Sequence, residues 1–194
     1  MSGVLAWLAP PTEGRRSPQW VVLPALIFAF VALIVGFVAG SQEREAGAKT
    51  WYDLWFTDTI HMKAWFATAA ALCACFQLFS AAWIFRKLPI EKPPWVNPAH
   101  RWSGRLAFLF TLPVAYHCIF KLGFQSGDNR VLVHSLAGST VFGAYFAKVT
   151  VVRLKRFPVW VLPTAGGIVF TLLIAIGYTS ALWFFSRVGE DPLF

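Results

Sequence analysis

The chain has 194 residues, of which 57% are apolar and only 13% are charged. A soluble globular domain is closer to half apolar and a quarter charged, so this composition argues against a soluble enzyme, a disordered regulator and a disulfide-rich secreted module. The formal net charge is +8. The basic residues lie between long apolar runs rather than on one polar face, which argues against nucleic acid as a partner. The composition instead indicates an integral membrane protein whose main partner is the lipid bilayer.

Five apolar runs are long enough to cross a bilayer, which takes about 20 helical residues. Because no water satisfies the backbone inside a bilayer, each run must be helical, and none alternates as a membrane β-strand does. The sequence therefore predicts an all-α, polytopic membrane protein in which five transmembrane helices form one bundle. The predicted spans are residues 20–40, 60–85, 102–120, 131–152 and 159–185.

The distribution of charge predicts which way the bundle faces. Lys and Arg concentrate on the cytoplasmic side of membrane proteins. With the N-terminus inside, eleven of the 17 Lys and Arg fall at the inner side and seven of the nine Asp and Glu at the outer side. We therefore expect a multi-pass plasma-membrane protein with a cytoplasmic tail (1–19), a single transmembrane domain (20–185) and an outer C-terminal tail (186–194). The Pro-rich stretch 89–98 between spans two and three is expected to be extended.

The chain has four histidines, and all lie in or at the edge of predicted spans. Three of them, His61, His117 and His134, lie roughly 4–6 Å inside the outer boundary at 1.5 Å per helical residue, each on a different helix. Ionisable residues inside a membrane are a functional hypothesis by default. Neutral imidazoles that face one another across a helix bundle can hold a metal centre. In an apolar site the expected centre is a haem b with two axial histidines.

Two axial pairs are compatible with the sequence. If spans two and four face each other diagonally, the pair is His61 and His134, and if spans three and four close on the haem, it is His117 and His134. His134 belongs to both pairs. Ala137, Gly138 and Val141 share its helix face, and such small residues allow a flat macrocycle to approach closely.

The spacing of the remaining polar residues predicts one haem per chain rather than two. Two haems stacked across a membrane need histidines about 13–14 residues apart on one helix, which returns to nearly the same face. Fourteen residues beyond His61 and His134 the chain has Cys75 and Lys148. His100, with Arg101 beside it, lies at the inner edge of the third span. We expect it to cap the helix or to contact haem propionates or lipid headgroups.

Several segments carry a resemblance to known families. The start of the third span, His100-Arg-Trp-Ser-Gly-Arg-Leu, is similar to a helix of small haem-b membrane proteins in the cytochrome b561 and ferric-reductase-like group. The stretches 113–124 (PVAYHCIFKLGF) and 130–138 (RVLVHSLAG) resemble an uncharacterised family of small actinobacterial membrane proteins, number 6529 in the domain-of-unknown-function series. That resemblance covers most of spans two to five. It implies a membrane location and this helix layout, whereas the first resemblance implies haem b.

These observations favour a one-haem membrane cytochrome that acts as an electron-transfer subunit rather than as a stand-alone enzyme. An outer-face redox partner such as an iron–sulfur protein would suit it. The alternative is a non-catalytic assembly or anchoring subunit of a larger membrane complex. A third hypothesis, a small transporter or quinone-site protein, depends on Lys148 and Gln77. Lys148 is expected to snorkel towards the inner surface, and Gln77 to bond a neighbouring helix.

Overall fold

The computed structural model describes residues 18–43 and 54–187, and this described part of the chain is all-helical. Five long helices form it: α1 (Val22–Gly40), α2 (Thr59–Ile84), α3 (Val96–His117), α4 (Asn129–Leu154) and α5 (Val161–Gly177). α3 runs on into a π-helical turn, Cys118–Leu122, and α5 continues through a second, Tyr178–Leu182, into the short helix α6 (Trp183–Arg187). The two tails expected from the sequence lie almost entirely outside the described residues.

The five expected membrane spans are confirmed as helices long and apolar enough to cross a membrane. The mean hydropathy of their most apolar 18-residue windows runs from 1.3 to 3.0. One end of the bundle holds Gly40, Thr59 and Asn129. It is called the outer end below, because the sequence predicts that it faces outside. The opposite end is called the inner end.

The expectation of an extended stretch over 89–98 is wrong at its C-terminal side. α3 begins at Val96, six residues before the predicted start of the third span, so it includes Pro98, His100 and Arg101. Proline is tolerated in the first turn of a helix because its missing N–H would be unsatisfied there anyway. The polar residues His100 and Arg101 make the apolar run begin later than the helix does.

Two aspartates start helices at the outer end. The side chain of Asp58 accepts a hydrogen bond from the backbone N–H of His61 at 2.8 Å, and that of Asp128 accepts one from Val131 at 2.8 Å. Each carboxylate satisfies a backbone donor that a helix start leaves without an intrahelical acceptor, and its negative charge suits the positive end of the helix dipole. These caps fix where α2 and α4 begin.

The helices pack in a spatial order that differs from their order in the chain. α1 packs on α4, α4 on α5, α5 on α2, and α2 on α3. α2 and α4 therefore both flank α5. A close approach at Gly143 brings α1 and α4 together, because a Cβ there would overlap the backbone carbonyl of Phe28. Small residues at such a crossing let two membrane helices approach closely.

α3 and α4 are not among the closely packed helix pairs of the described chain, and side chains bridge the space between them. The ring of Phe108 stacks on that of Tyr145 with centroids 4.3 Å apart and planes 17° apart. At the outer end, the chain after α3 turns back onto α1, where the backbone N–H of Phe124 donates to the carbonyl of Ala39 at 2.9 Å. Gly123 makes this turn with a φ of +67°. The bundle is therefore closed at its outer end and looser between α3 and α4 farther in.

Candidate functional site

His61 lies in the first turn of α2 and is held by the aspartate that caps the helix. Its Nδ1 is 2.7 Å from the carboxylate of Asp58. Burial raises the pKa of Asp58, but the hydrogen bonds from the backbone and ring of His61 outweigh it and lower that pKa below its ordinary value. An ionised carboxylate can only accept, so Nδ1 of His61 carries the proton. With Nδ1 donating to Asp58, the neutral form of the ring has its lone pair on Nε2, where it can coordinate a metal.

His134, in the second turn of α4, is held in the same tautomer by a threonine. Its Nδ1 is 3.0 Å from the hydroxyl oxygen of Thr179. That hydroxyl donates its single proton to the carbonyl of Ala175 at 2.7 Å, so it can only accept from the histidine. The proton of the neutral imidazole is therefore on Nδ1. Metal-bound histidines commonly donate their other ring N–H in this way, which fixes the orientation of the ring.

The two histidines contact the same stretch of chain, the outer end of α5 and α6. The ring of His61 meets that of Phe184 edge to face with centroids 5.2 Å apart, five residues beyond Thr179. Arg130 donates to the carbonyl of Thr179 at 2.8 Å and lies over the ring of Trp183, 4.0 Å from its centroid. The π-helical turn widens the helix here, and such turns are frequent at functional sites.

The third outer histidine, His117, is the last residue of α3 and is only 2% exposed. It directly precedes the other π-helical turn. Lys63 lies within electrostatic range of both His134 and Cys118, the neighbour of His117. Lys63 of α2 is therefore near enough to His134 of α4 and to Cys118 after α3 to act on both electrostatically. That the three outer histidines form one site stays a prediction.

His100 lies at the inner end and is turned towards α2. Its Nδ1 is 2.8 Å from the hydroxyl of Ser80, which donates to the carbonyl of Phe76 at 2.6 Å. The N-cap position of α3 is Trp95, and His100 lies one turn into the helix. The expectation that His100 caps the helix is therefore wrong. Arg101 beside it is exposed. His100 and His117 are separated by roughly 25 Å along the helix axis.

Near the inner end, the two polar residues singled out in spans two and four come together. The ammonium of Lys148 donates to the side-chain oxygen of Gln77 at 3.4 Å. The expectation that Gln77 bonds a neighbouring helix is confirmed, because its amide nitrogen donates to the carbonyl of His100 and, at 2.8 Å, to the hydroxyl of Ser103 on α3. The head group of Lys148 contacts Gln77, and its expected snorkelling towards the inner surface stays a prediction.

Within residues 18–43 and 54–187, no three His, Cys, Asp or Glu side chains lie close enough together to hold a metal ion. A haem, by comparison, takes only two protein ligands. The sequence reasoning missed Asp58, Thr179, Lys63 and Arg130. The three-residue spacing from Asp58 to His61 was visible as a cap signal, whereas Thr179 is 45 residues from His134 and left no local signal.

The comparisons with known proteins identify a family without a function. A model for a family of unknown function, DUF6529, matches residues 21–191. No curated protein and no solved structure matches the chain. The match covers all five membrane-spanning helices and the outer histidine cluster. The chain therefore belongs to the DUF6529 family.

Proposed function

We propose that this protein is a one-haem, b-type membrane cytochrome whose iron is held between His61 and His134 near the outer end. The observation that supports this pair is the shared tautomer. Both rings donate from Nδ1 to a fixed acceptor, the carboxylate of Asp58 and the hydroxyl of Thr179, at 2.7 and 3.0 Å. In the neutral form of each ring the lone pair is then on Nε2, and metal-bound histidines commonly donate their other ring N–H in this way.

The surroundings of His134 suit a flat macrocycle. Gly138 lies one turn further along the same face of α4, and no atom of the described chain lies within 4 Å of where its Cβ would be. Lys63 lies within electrostatic range of His134, so we assign it as the cation that would face a propionate. His100 and Arg101 are roughly 25 Å from this level, which is too far for that role.

The haem would supply a reversible one-electron change at the iron. The chain supplies the remaining requirements: two ligands of fixed tautomer, an apolar setting and a nearby cation. No extramembrane segment between the described helices is long enough to form a catalytic domain. We therefore propose an electron-transfer subunit that exchanges electrons with a redox partner at the outer face, rather than an enzyme with its own substrate.

Replacing Thr179 tests whether its hydroxyl positions His134. Thr179→Val keeps the shape of the side chain but removes the acceptor, so we expect haem affinity to fall about 10–100-fold, as for other partners of metal-bound histidines. Thr179→Ser keeps the hydroxyl and should retain the wild-type affinity. The measurement is haem titration of the purified protein together with its midpoint potential. Equal affinities and potentials for the valine and serine variants would contradict the proposed role.

Asp58→Asn tests whether the carboxylate of Asp58 positions His61 as a ligand. Asparagine still caps a helix well, so α2 should keep its start and the haem-free protein its thermal stability. The amide lacks the negative charge that stabilises the oxidised, more positive iron, so the midpoint potential should rise. The lowered pKa of Asp58 keeps its carboxylate ionised. The midpoint potential of the wild type should therefore stay constant as the pH is lowered, until the pH falls below that pKa. A potential that Asp58→Asn leaves unchanged would remove His61 from the axial pair.

A further inference from the structure

Two residues of α4 contact the same threonine at the outer end of α5. Arg130 and His134 are four residues apart, so their side chains lie on one face of the helix, one turn from each other. The guanidinium of Arg130 donates to the backbone carbonyl of Thr179 at 2.8 Å, and the Nδ1 of His134 is 3.0 Å from the Thr179 hydroxyl. α4 therefore holds Thr179 both by its backbone and by its side chain.

The indole ring of Trp183 fixes the guanidinium of Arg130 from another side. The guanidinium carbon lies 4.0 Å from the centroid of that ring. Arginine can stack on an aromatic face and at the same time donate hydrogen bonds from its planar edge. Because Thr179 and Trp183 are four residues apart, Arg130 joins the first turn of α4 to two points of one segment.

The carbonyl that Arg130 contacts belongs to the π-helical turn that continues α5, Tyr178–Leu182. A π-helical turn departs from the regular hydrogen bonding of an α-helix and changes the direction in which its side chains point. Thr179 is only 5% exposed, and its hydroxyl donates to the carbonyl of Ala175. The direction in which this hydroxyl presents its lone pair therefore depends on how the turn is held.

The charge of Arg130 is the smaller of two electrostatic influences on His134. Lys63 of α2 acts on that ring more strongly than Arg130 does, although Arg130 is on the same helix as the ring. The guanidinium is instead committed to the Thr179 carbonyl and the Trp183 ring. These contacts indicate an effect on His134 that passes through Thr179.

We propose that Arg130 is a positioning residue for His134. It holds the π-helical turn so that the Thr179 hydroxyl accepts from Nδ1 of the imidazole, and the neutral ring then has its lone pair on Nε2. For haem binding this inference rests on the proposed function, because the orientation of a ligand matters only where iron binds. The tautomer of His134 does not require haem, so it can be tested separately.

The first test uses the haem-free, full-length protein in detergent. ¹⁵N NMR of labelled histidine, at a pH where the rings are neutral, reports which ring nitrogen carries the proton, and His134→Ala assigns the signal of His134. The wild type should have this proton on Nδ1. Arg130→Met and Thr179→Val should each move part of it to Nε2, because the first releases the turn and the second removes the acceptor.

Three further variants serve as controls for this measurement. Arg130→Lys keeps a donor that can reach the carbonyl and should restore most of the wild-type tautomer. Arg187 lies over the same Trp183 ring, 5.8 Å from its centroid, and Arg187→Met should leave His134 as in the wild type. Thermal midpoints of the haem-free variants show whether each folds. Arg130→Gln, with a polar side chain too short for both contacts, replaces the methionine variant if that one does not fold.

A double-variant cycle tests the same path in the protein with haem. Arg130→Met and Thr179→Val should each weaken haem binding about tenfold, as loss of a partner of a metal-bound histidine does. Because the two residues act through one contact, the double variant should bind haem as weakly as Thr179→Val alone. A direct effect of the Arg130 charge would persist without the Thr179 hydroxyl, and the two losses would multiply to about a hundredfold.

Three results would overturn the inference. The first is a wild-type His134 with its proton on Nε2, and the second is a wild-type tautomer in Arg130→Met when Thr179→Val has changed it. The third is multiplied losses of haem affinity in the double variant. The second and third leave the proposed cytochrome intact. A protein that binds no haem contradicts the cytochrome instead, and the tautomer measurement then decides the role of Arg130.

Discussion

His134→Ala is expected to leave the protein without haem, because it removes the ligand common to both histidine pairs that the sequence allows. Among the described residues, His134 is the imidazole that α4 offers as a ligand, and its orientation is fixed by Thr179. His61→Ala should likewise reduce haem to background. The measurement is haem per chain by the pyridine haemochrome method on protein purified from cells supplied with haem precursor. His100→Ala is the matched control and should retain haem, since His100 lies at the opposite end of the bundle.

His117 decides between the two pairs. With His61 and His134 as ligands, His117→Ala should retain the haem with at most a shifted potential, because the His117 ring is then not a ligand. If His117→Ala loses the haem and His61→Ala keeps it, the iron is held between α3 and α4 instead. Retention of full haem in His134→Ala would contradict both pairs.

Gly143→Ala is expected to lower the stability of the protein markedly. The added Cβ would overlap the carbonyl of Phe28 and come within 3.2 Å of the backbone nitrogen of Ala32, so α1 and α4 must move apart. Overpacking of this kind typically costs about 1–3 kcal/mol, and backbone atoms cannot give way as a flexible side chain does. The measurement is the thermal midpoint of the purified protein in detergent.

Gly36→Ala is the control for this prediction. Gly36 lies on α1 in the same interface, but a Cβ there would be 3.9 Å from that of Ser139, an ordinary contact. Its midpoint should match the wild type or rise slightly, since alanine favours the helix more than glycine does. Equal midpoints for the two variants would show that α1 and α4 approach less closely than described here.

The spans could be predicted because a membrane constrains them so strongly. Every spanning segment must be apolar and helical over about 20 residues, so length and composition are enough. The boundaries failed only where polar residues continue a helix, as at the start of α3. The common depth of His61, His117 and His134 rests on the same distances to the span ends and stays a prediction.

The sequence could not predict what fixes the histidines. Thr179 is the acceptor for His134 only because α5 lies beside α4 and because the hydroxyl is already committed to Ala175. The two π-helical turns have no simple sequence signal. The contact between Lys148 and Gln77, 71 residues apart in the chain, likewise left no local signal.

The most direct test of the proposed function is a reduced-minus-oxidised visible spectrum of the purified wild-type protein, with haem quantified per chain. The account predicts about one haem b per chain and the sharp α-band of a low-spin, bis-histidine iron. Protein that remains without haem after expression with haem precursor and after titration with haemin would contradict it. The anchoring-subunit alternative would then explain the bundle better.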